Sequence, residues 1–156
     1  MKDKDAGKLV WVNNMKRSKE ILTGIMETVQ ICQVSLQCAL NVPISATLQA
    51  ALRAQLQEYD RIEAEARSIA FSRGWNLEDF ELGFITFKKV WTKIRYTFGN
   101  TDYKAIAMTI THNTKGMIRN LHNLRQFNHS DERISALSQK LLDIENANIR
   151  QMQGFL

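Results

Sequence analysis

From Ser18 onward, apolar residues recur at intervals of three and four: Leu22, Ile25, Val29, Cys32, Leu36 and Leu40. Positions spaced in this way share one side of an α-helix, so the pattern predicts a first helix with Ser18 as its N-cap. Asn41-Val42-Pro43 should end it, because a residue before proline is pushed out of the α region. Ser45 can cap a second helix whose stripe reads Leu48, Leu52, Leu56, Tyr59, Glu63, Ala66 and Ala70. Arg73-Gly74 stops that helix, with glycine where the C′ residue needs a left-handed backbone.

A shorter segment opening at Asn76 or Asp79 has the sharpest periodicity, with Phe80, Phe84, Phe87, Trp91, Ile94 and Phe98 on one side. Lys88, Lys89, Lys93 and Arg95 occupy the other, and Gly99-Asn100 closes it. Thr101 or Asp102 then caps a helix carrying Ile106, Ile110, Met117, Leu121 and Leu124. After a turn at Asn128-His129-Ser130, the last helix shows Ile134, Leu137, Leu141, Ile144, Asn148 and Met152. The expected fold is all-α: an antiparallel four-helix bundle with a short aromatic connector helix between its second and third helices. Residues 1–14 read as a polar N-terminal tail, of which Val10 and Trp11 could dock onto the body of the domain, and residues 15–156 as one helical domain.

Composition supports that reading. One proline and seven glycines in 156 residues leave little punctuation for many short strands. No run approaches the roughly 18 apolar residues of a membrane span, and Leu9-Val10-Trp11-Val12 is too short for a secretory leader. Cys32 and Cys38 are six residues apart, which turns them about 240° from one another on a helix and precludes a bridge within it. Both read as core or boundary thiols of a reducing compartment, and the expected location is cytoplasmic.

The net charge of +5 is concentrated: residues 79–130 hold eight Lys/Arg against three Asp/Glu, and the remainder holds thirteen of each. This asymmetry, with Lys88, Lys89, Lys93 and Arg95 at its centre, fits either an anionic partner or a solvated face. Nucleic acid is disfavoured as that partner, since base stacking needs aromatics interleaved with cations and here the two segregate to opposite faces. The surplus of apolar area on Phe80, Phe84, Phe87, Trp91, Ile94 and Phe98 points to a homodimer or larger homo-oligomer seamed along that helix.

No catalytic motif is complete. A Gly-rich phosphate loop, a Cys-x-x-Cys pair and a Gly-x-Ser-x-Gly elbow are all absent from the sequence. His112 and His122 lie ten residues apart, about three helical turns, too far to share a metal.

The order of features resembles a ferritin-like bundle over residues 19–153. It is most similar to a bacterial group of ferritin-like domains without an assigned activity. The residues that carry the resemblance are the Val42-Pro43 turn, Gln55-Leu56-Gln57-Glu58-Tyr59-Asp60 running to Arg73-Gly74-Trp75, and the connector Phe87-Lys88-Lys89-Val90-Trp91 through Gly99. The resemblance implies a di-iron centre built from a Glu on each of two helices and a Glu-x-x-His on each of the others. This sequence departs from that pattern. Glu58 is followed at i+3 by Arg61, Glu63 by Ala66 and Glu145 by Asn148. Glu27 is retained on the first helix, whereas the penultimate helix offers only His112 and Asn113.

No cofactor is therefore expected, and the only metal-ligand candidates are Glu63 and His112. Glu63 could equally be held by an arginine such as Arg119. The expected function is a non-enzymatic ferritin-like bundle acting by binding or self-assembly, without the di-iron site. The alternative is a metal- or small-molecule-handling protein with a rebuilt site in the bundle core.

Overall fold

A computed structural model of the chain describes residues 2–83, 86, 88–89, 92, 102–126 and 131–156. Four long helices make up most of it: α1 (Lys2–Leu40), α2 (Ala46–Ser72), α3 (Asp102–Gln126) and α4 (Glu132–Gln153). A short 3-10 helix, η1 (Leu77–Phe80), follows α2. No helix among the described residues is long and apolar enough to cross a membrane.

Local chemistry sets most of the helix ends. The chain leaves α1 at Leu40, just before Asn41-Val42-Pro43. Ser45 takes an extended backbone, and its hydroxyl accepts the Leu48 N–H. At the far end of α2, Gly74 adopts φ 66°, and the Gly74 and Trp75 amides return to the carbonyls of Phe71 and Ala70. Asn76 caps η1 by accepting from Glu78, and Asp131 caps α4 by accepting from Ile134.

Side-chain pairs fix the topology. Ser45 N–H donates to Asp102, which places the start of α3 beside the start of α2. His112 meets Ser35 and Arg119 meets Glu27, so α3 runs antiparallel to α1. Lys140 meets Glu65 and Gln55 meets Gln151, so α4 runs antiparallel to α2. The α1–α2 and α3–α4 pairs pack closely, and α1–α3 and α2–α4 contacts close the square. Because α2 and α3 both start at one end, the connection between them traverses the bundle's length. Up-down bundles with one such crossover are the ferritin-like arrangement.

The connector departs from expectation at its start. Phe80 closes a 3-10 turn rather than opening a long helix, and residues 81–83 are not helical. It is buried, stacked 5.9 Å from Trp75 and covered by Lys19, whose ammonium also pairs with Asp79. Gln30 of α1 holds the exit: it donates to the Phe80 carbonyl and accepts the Leu82 N–H at 2.7 Å. Phe80 therefore belongs to this chain's own core and is not available as an oligomer seam. Phe84, Phe87, Trp91, Ile94 and Phe98 lie outside the described residues.

The N-terminus also differs. The first helix begins at Lys2, sixteen residues before Ser18, and residues 5–17 are all exposed. Ser18 is an interior residue whose hydroxyl donates to the Asn14 carbonyl, the usual way for a mid-helix serine to satisfy itself. No proline interrupts residues 2–40, so nothing stops the helix from extending. Val10 and Trp11 stand in solvent instead of docking, beyond the level at which Lys19 meets Asp79 of η1 and Gly24 lies against Asn123 of α3.

Asp131 joins two of these features, since its second oxygen pairs with Arg73 at 2.6 Å across the end of α2. Asp131→Ala should lower unfolding stability by about 1–3 kcal/mol, from loss of the cap and of this half-buried pair. Asp131→Asn should lose less, because asparagine caps nearly as well. Denaturant unfolding of the two variants measures the difference.

Candidate functional site

The four inner faces meet around an unusually polar stretch of core. On α3 the inward positions are Ala105, Ile106, Thr109, Asn113, Gly116 and Asn120. Of the expected stripe Ile106 is buried, whereas Ile110, Met117, Leu121 and Leu124 lie one residue further round: Leu121 is exposed and the other three are half-buried. A one-residue step is about 100° on a helix, so hydrophobicity alone selected the flank rather than the seam. On α4 the expected stripe is buried except at one position, where Glu145 rather than Ile144 faces inward, and on α2 except at two, where Gln55 and Ile62 face inward rather than Leu56 and Glu63.

Glu145 is the centre of this stretch, with 0% of its surface exposed. Its Oε2 accepts from Asn120 Nδ2 at 3.0 Å, while its Oε1 and Asn120 Oδ1 have no hydrogen-bond partner among the described residues. Oε1 lies against Gly116, where an added β-carbon would overlap it and come within 2.7 Å of Thr28 Cγ2. Burial pushes the Glu145 carboxyl up to about 8, and the Asn120 hydrogen bond and the Arg119 charge only partly oppose this. At neutral pH the group is therefore a protonated acid, which is the inexpensive form of a carboxyl in a low-dielectric core.

One turn along, Tyr59 donates to Asn113 Oδ1 at 2.5 Å, and Asn148 Nδ2 shares the same acceptor at 3.3 Å. Asn113 Nδ2 in turn donates to the Thr109 carbonyl at 2.8 Å. Cys32 of α1 shares a hydrogen bond with Tyr59, and burial pushes its thiol up to about 12. Burial likewise raises Tyr59, helped by the neighbouring Cys32 and Glu145. Tyr59 and Cys32 are thus neutral as well, so Cys32 is not a nucleophile in the folded chain.

The residues singled out from the sequence sit elsewhere. Glu63 is half-buried on the flank of α2, accepting from Gln33 and paired with Arg67 at 2.7 Å. Arg67, not Arg119, is therefore its cation. His112 Nδ1 lies 2.8 Å from Ser35 Oγ. Glu27 is half-exposed, 3.5 Å from Arg119, and Glu58 pairs with Arg61. Lys88 and Lys89 are helical and exposed, whereas Lys93 and Arg95 lie outside the described residues.

A pair of irons needs several carboxylates and imidazoles converging on one point. Here the position i+3 from Glu145 holds Asn148, already committed to Asn113, and the carboxyl itself is wedged against Gly116. Among the described residues no three His, Cys, Asp or Glu side chains gather as a metal would require. The described donor set does not suit a di-iron centre.

The raised Glu145 carboxyl has a signed consequence. Below about pH 4.5 both folded and unfolded chains hold its proton, and its contribution to stability is complete. Between 4.5 and about 8 the unfolded chain releases the proton while the folded chain keeps it, so stability falls as pH rises. Above about 8 the loss is complete, on the order of several kcal/mol. Glu145→Gln should remove this component, so that unfolding free energies of variant and parent diverge between pH 5 and 8. Gly116→Ala should destabilise by about 1–3 kcal/mol despite alanine's better helix propensity, and should do so less in a Glu145→Ala background. Chemical denaturation of the parent, Glu145→Gln, Gly116→Ala, Glu145→Ala and the Gly116→Ala/Glu145→Ala double variant tests both expectations.

No protein-family model matches the chain, and no curated protein matches it. Among solved structures, Dps92 from Deinococcus radiodurans is similar, with a TM-score of 0.73 at 19% identity over 92% of this chain and 88% of that one. With the antiparallel square and the single crossover, this likeness shows that the chain folds as a ferritin-like four-helix bundle.

Proposed function

We propose that this chain is a non-enzymatic ferritin-like bundle that acts through binding or self-assembly. The observation that carries the reading is the Glu145 neighbourhood. At the helix positions where a ferritin-like protein would present metal ligands, this chain presents amides and hydroxyls bonded to one another around a neutral acid. Such an interior stabilises a register between helices and offers little to a substrate. With the interior committed, function falls to the outside of the bundle. The buried free thiols Cys32 and Cys38 suit a reducing compartment, which supports a cytoplasmic location.

The second reading, a rebuilt metal or small-molecule site, draws on Glu145 Oε1 and Asn120 Oδ1, two core acceptors without partners among the described residues. Elemental analysis after growth with added iron, manganese and zinc separates the two. The expected result is well under one metal per chain. One equivalent of metal, lost in Glu145→Gln, would establish the second reading instead.

A further inference from the structure

The seam that α1 buries in the bundle follows a regular alternation: Ser18, Leu22, Ile25, Val29, Cys32, Leu36 and Ala39, at steps of four and three, are all buried. Continued toward the N-terminus, the same alternation passes through Met15, Trp11 and Lys8. The seam does not end where the bundle ends. It projects about 20 Å beyond it over residues 5–17, all of them exposed, with no described residue packed against it.

Trp11 is 63% exposed there and Leu9 69%, with Val10, Val12 and Met15 also open to solvent. Phe71, 78% exposed, stands on the last turn of α2, at the end of the bundle from which the extension leaves. Trp11 and Met15 lie on the seam itself, and Leu9, Val10 and Val12 surround it, so the extension carries exposed apolar surface on and around the line of the core.

We propose that this extension pairs antiparallel with the extension of a second copy, in a two-fold contact centred near Trp11. The inference rests on the self-assembly reading above and names the surface that performs it. Charge selects the partner and the direction. Asp5 lies six residues before Trp11, and Lys16 and Arg17 lie five and six after it. An antiparallel overlap of residues 5–17 therefore sets Asp5 of each copy beside Lys16 and level with Arg17 of the other, at both ends. Asp5 and Lys16 are eleven residues apart, about 20° around the helix, and so share one flank of the seam. A parallel pair would instead set like charges side by side. Overlap of this length is also the longest that two bundles allow, because each body begins at Ser18.

A lipid surface fits less well. It would call for apolar residues on one face and cations on the other, whereas Leu9, Val10, Trp11 and Val12 are consecutive and point to every side. Lys8 also falls within the seam itself. In the antiparallel pair it comes opposite Asn14 of the second copy, an uncharged acceptor.

Sedimentation velocity on the full chain at about 50 µM tests the pairing. The parent should sediment as a dimer or larger even assembly, and Trp11→Asp with Met15→Asp should weaken association more than tenfold. The thermal midpoint should stay unchanged, because residues 5–17 are outside the bundle core. Asp5→Lys should weaken association several-fold, and adding Lys16→Asp and Arg17→Asp to it should restore the parent's behaviour. An assembled parent whose mass is untouched by the Trp11/Met15 substitutions would overturn the surface while leaving self-assembly standing. A parent that is monomeric at 50 µM would overturn both, as would one that is monomeric and floats with phosphatidylcholine–phosphatidylserine vesicles. Failure of the charge swap to restore association would overturn the antiparallel arrangement.

Discussion

A carboxyl group at the centre of a helical bundle constrains everything packed around it. Among the described residues no cation pairs with Glu145 in the core: Arg119, whose charge only partly opposes the effect of burial, is itself engaged at the rim with Glu27 and Thr28. An ionised carboxylate in such a place would cost more than its single amide hydrogen bond returns, so the group is held as the acid. That choice propagates. Asn120 is oriented by it, Gly116 must lack a side chain to make room for it, and Thr28 completes the wall on α1. The same exclusion of water keeps Cys32 and Tyr59 in their neutral forms.

These polar contacts do work that apolar packing cannot. Leucine and isoleucine stripes slide past one another at small cost, whereas the hydrogen bonds of the Tyr59–Asn113–Asn148 cluster and of the Asn120–Glu145 pair form in one register only. They link α2, α3 and α4, and Cys32 ties α1 to them through Tyr59. At the two ends, Asp102 on Ser45 and Arg73 on Asp131 repeat this function where the helices are already half in water. Between the ends the crossover from α2 to α3 leaves under the hold of Gln30, so the chain's longest connection departs from a fixed point.

Helix ends were legible in the sequence because the physics there is local. Pro43, Ser45 and Gly74 each act on backbone within a few residues, and each does what its chemistry requires. Helix faces were less legible. On α3 the apolar set Ile110, Met117, Leu121 and Leu124 has the right period but lies beside the true seam of Thr109, Asn113, Gly116 and Asn120. Hydrophobic periodicity assumes an apolar core, and it fails where the core is built from amides. The one available signal was the 4-3-4 spacing of those four small or polar residues, which matches a buried seam in period though not in character. Glu145 was visible as the first member of a broken Glu-x-x-His pattern, but Ile144 next to it claimed the core position on hydrophobicity.

The start of α1 failed to be read for the opposite reason. A helix was expected only where apolar residues recur densely enough to be buried, yet residues 2–17 need no burial to continue a helix already nucleated downstream. Extending a helix adds a backbone hydrogen bond for each residue fixed, and a stable bundle below supplies the costly first turn. The consequence is a division of labour along one seam. From Ser18 to Ala39 its residues are buried and belong to the stability of the fold. From Lys8 to Met15 the same period continues with none of that burial, so those side chains contribute little to the folded monomer. Trp11 and Met15 thus stand in phase with a core that they do not reach, and their place on the helix follows from the period of the seam rather than from burial.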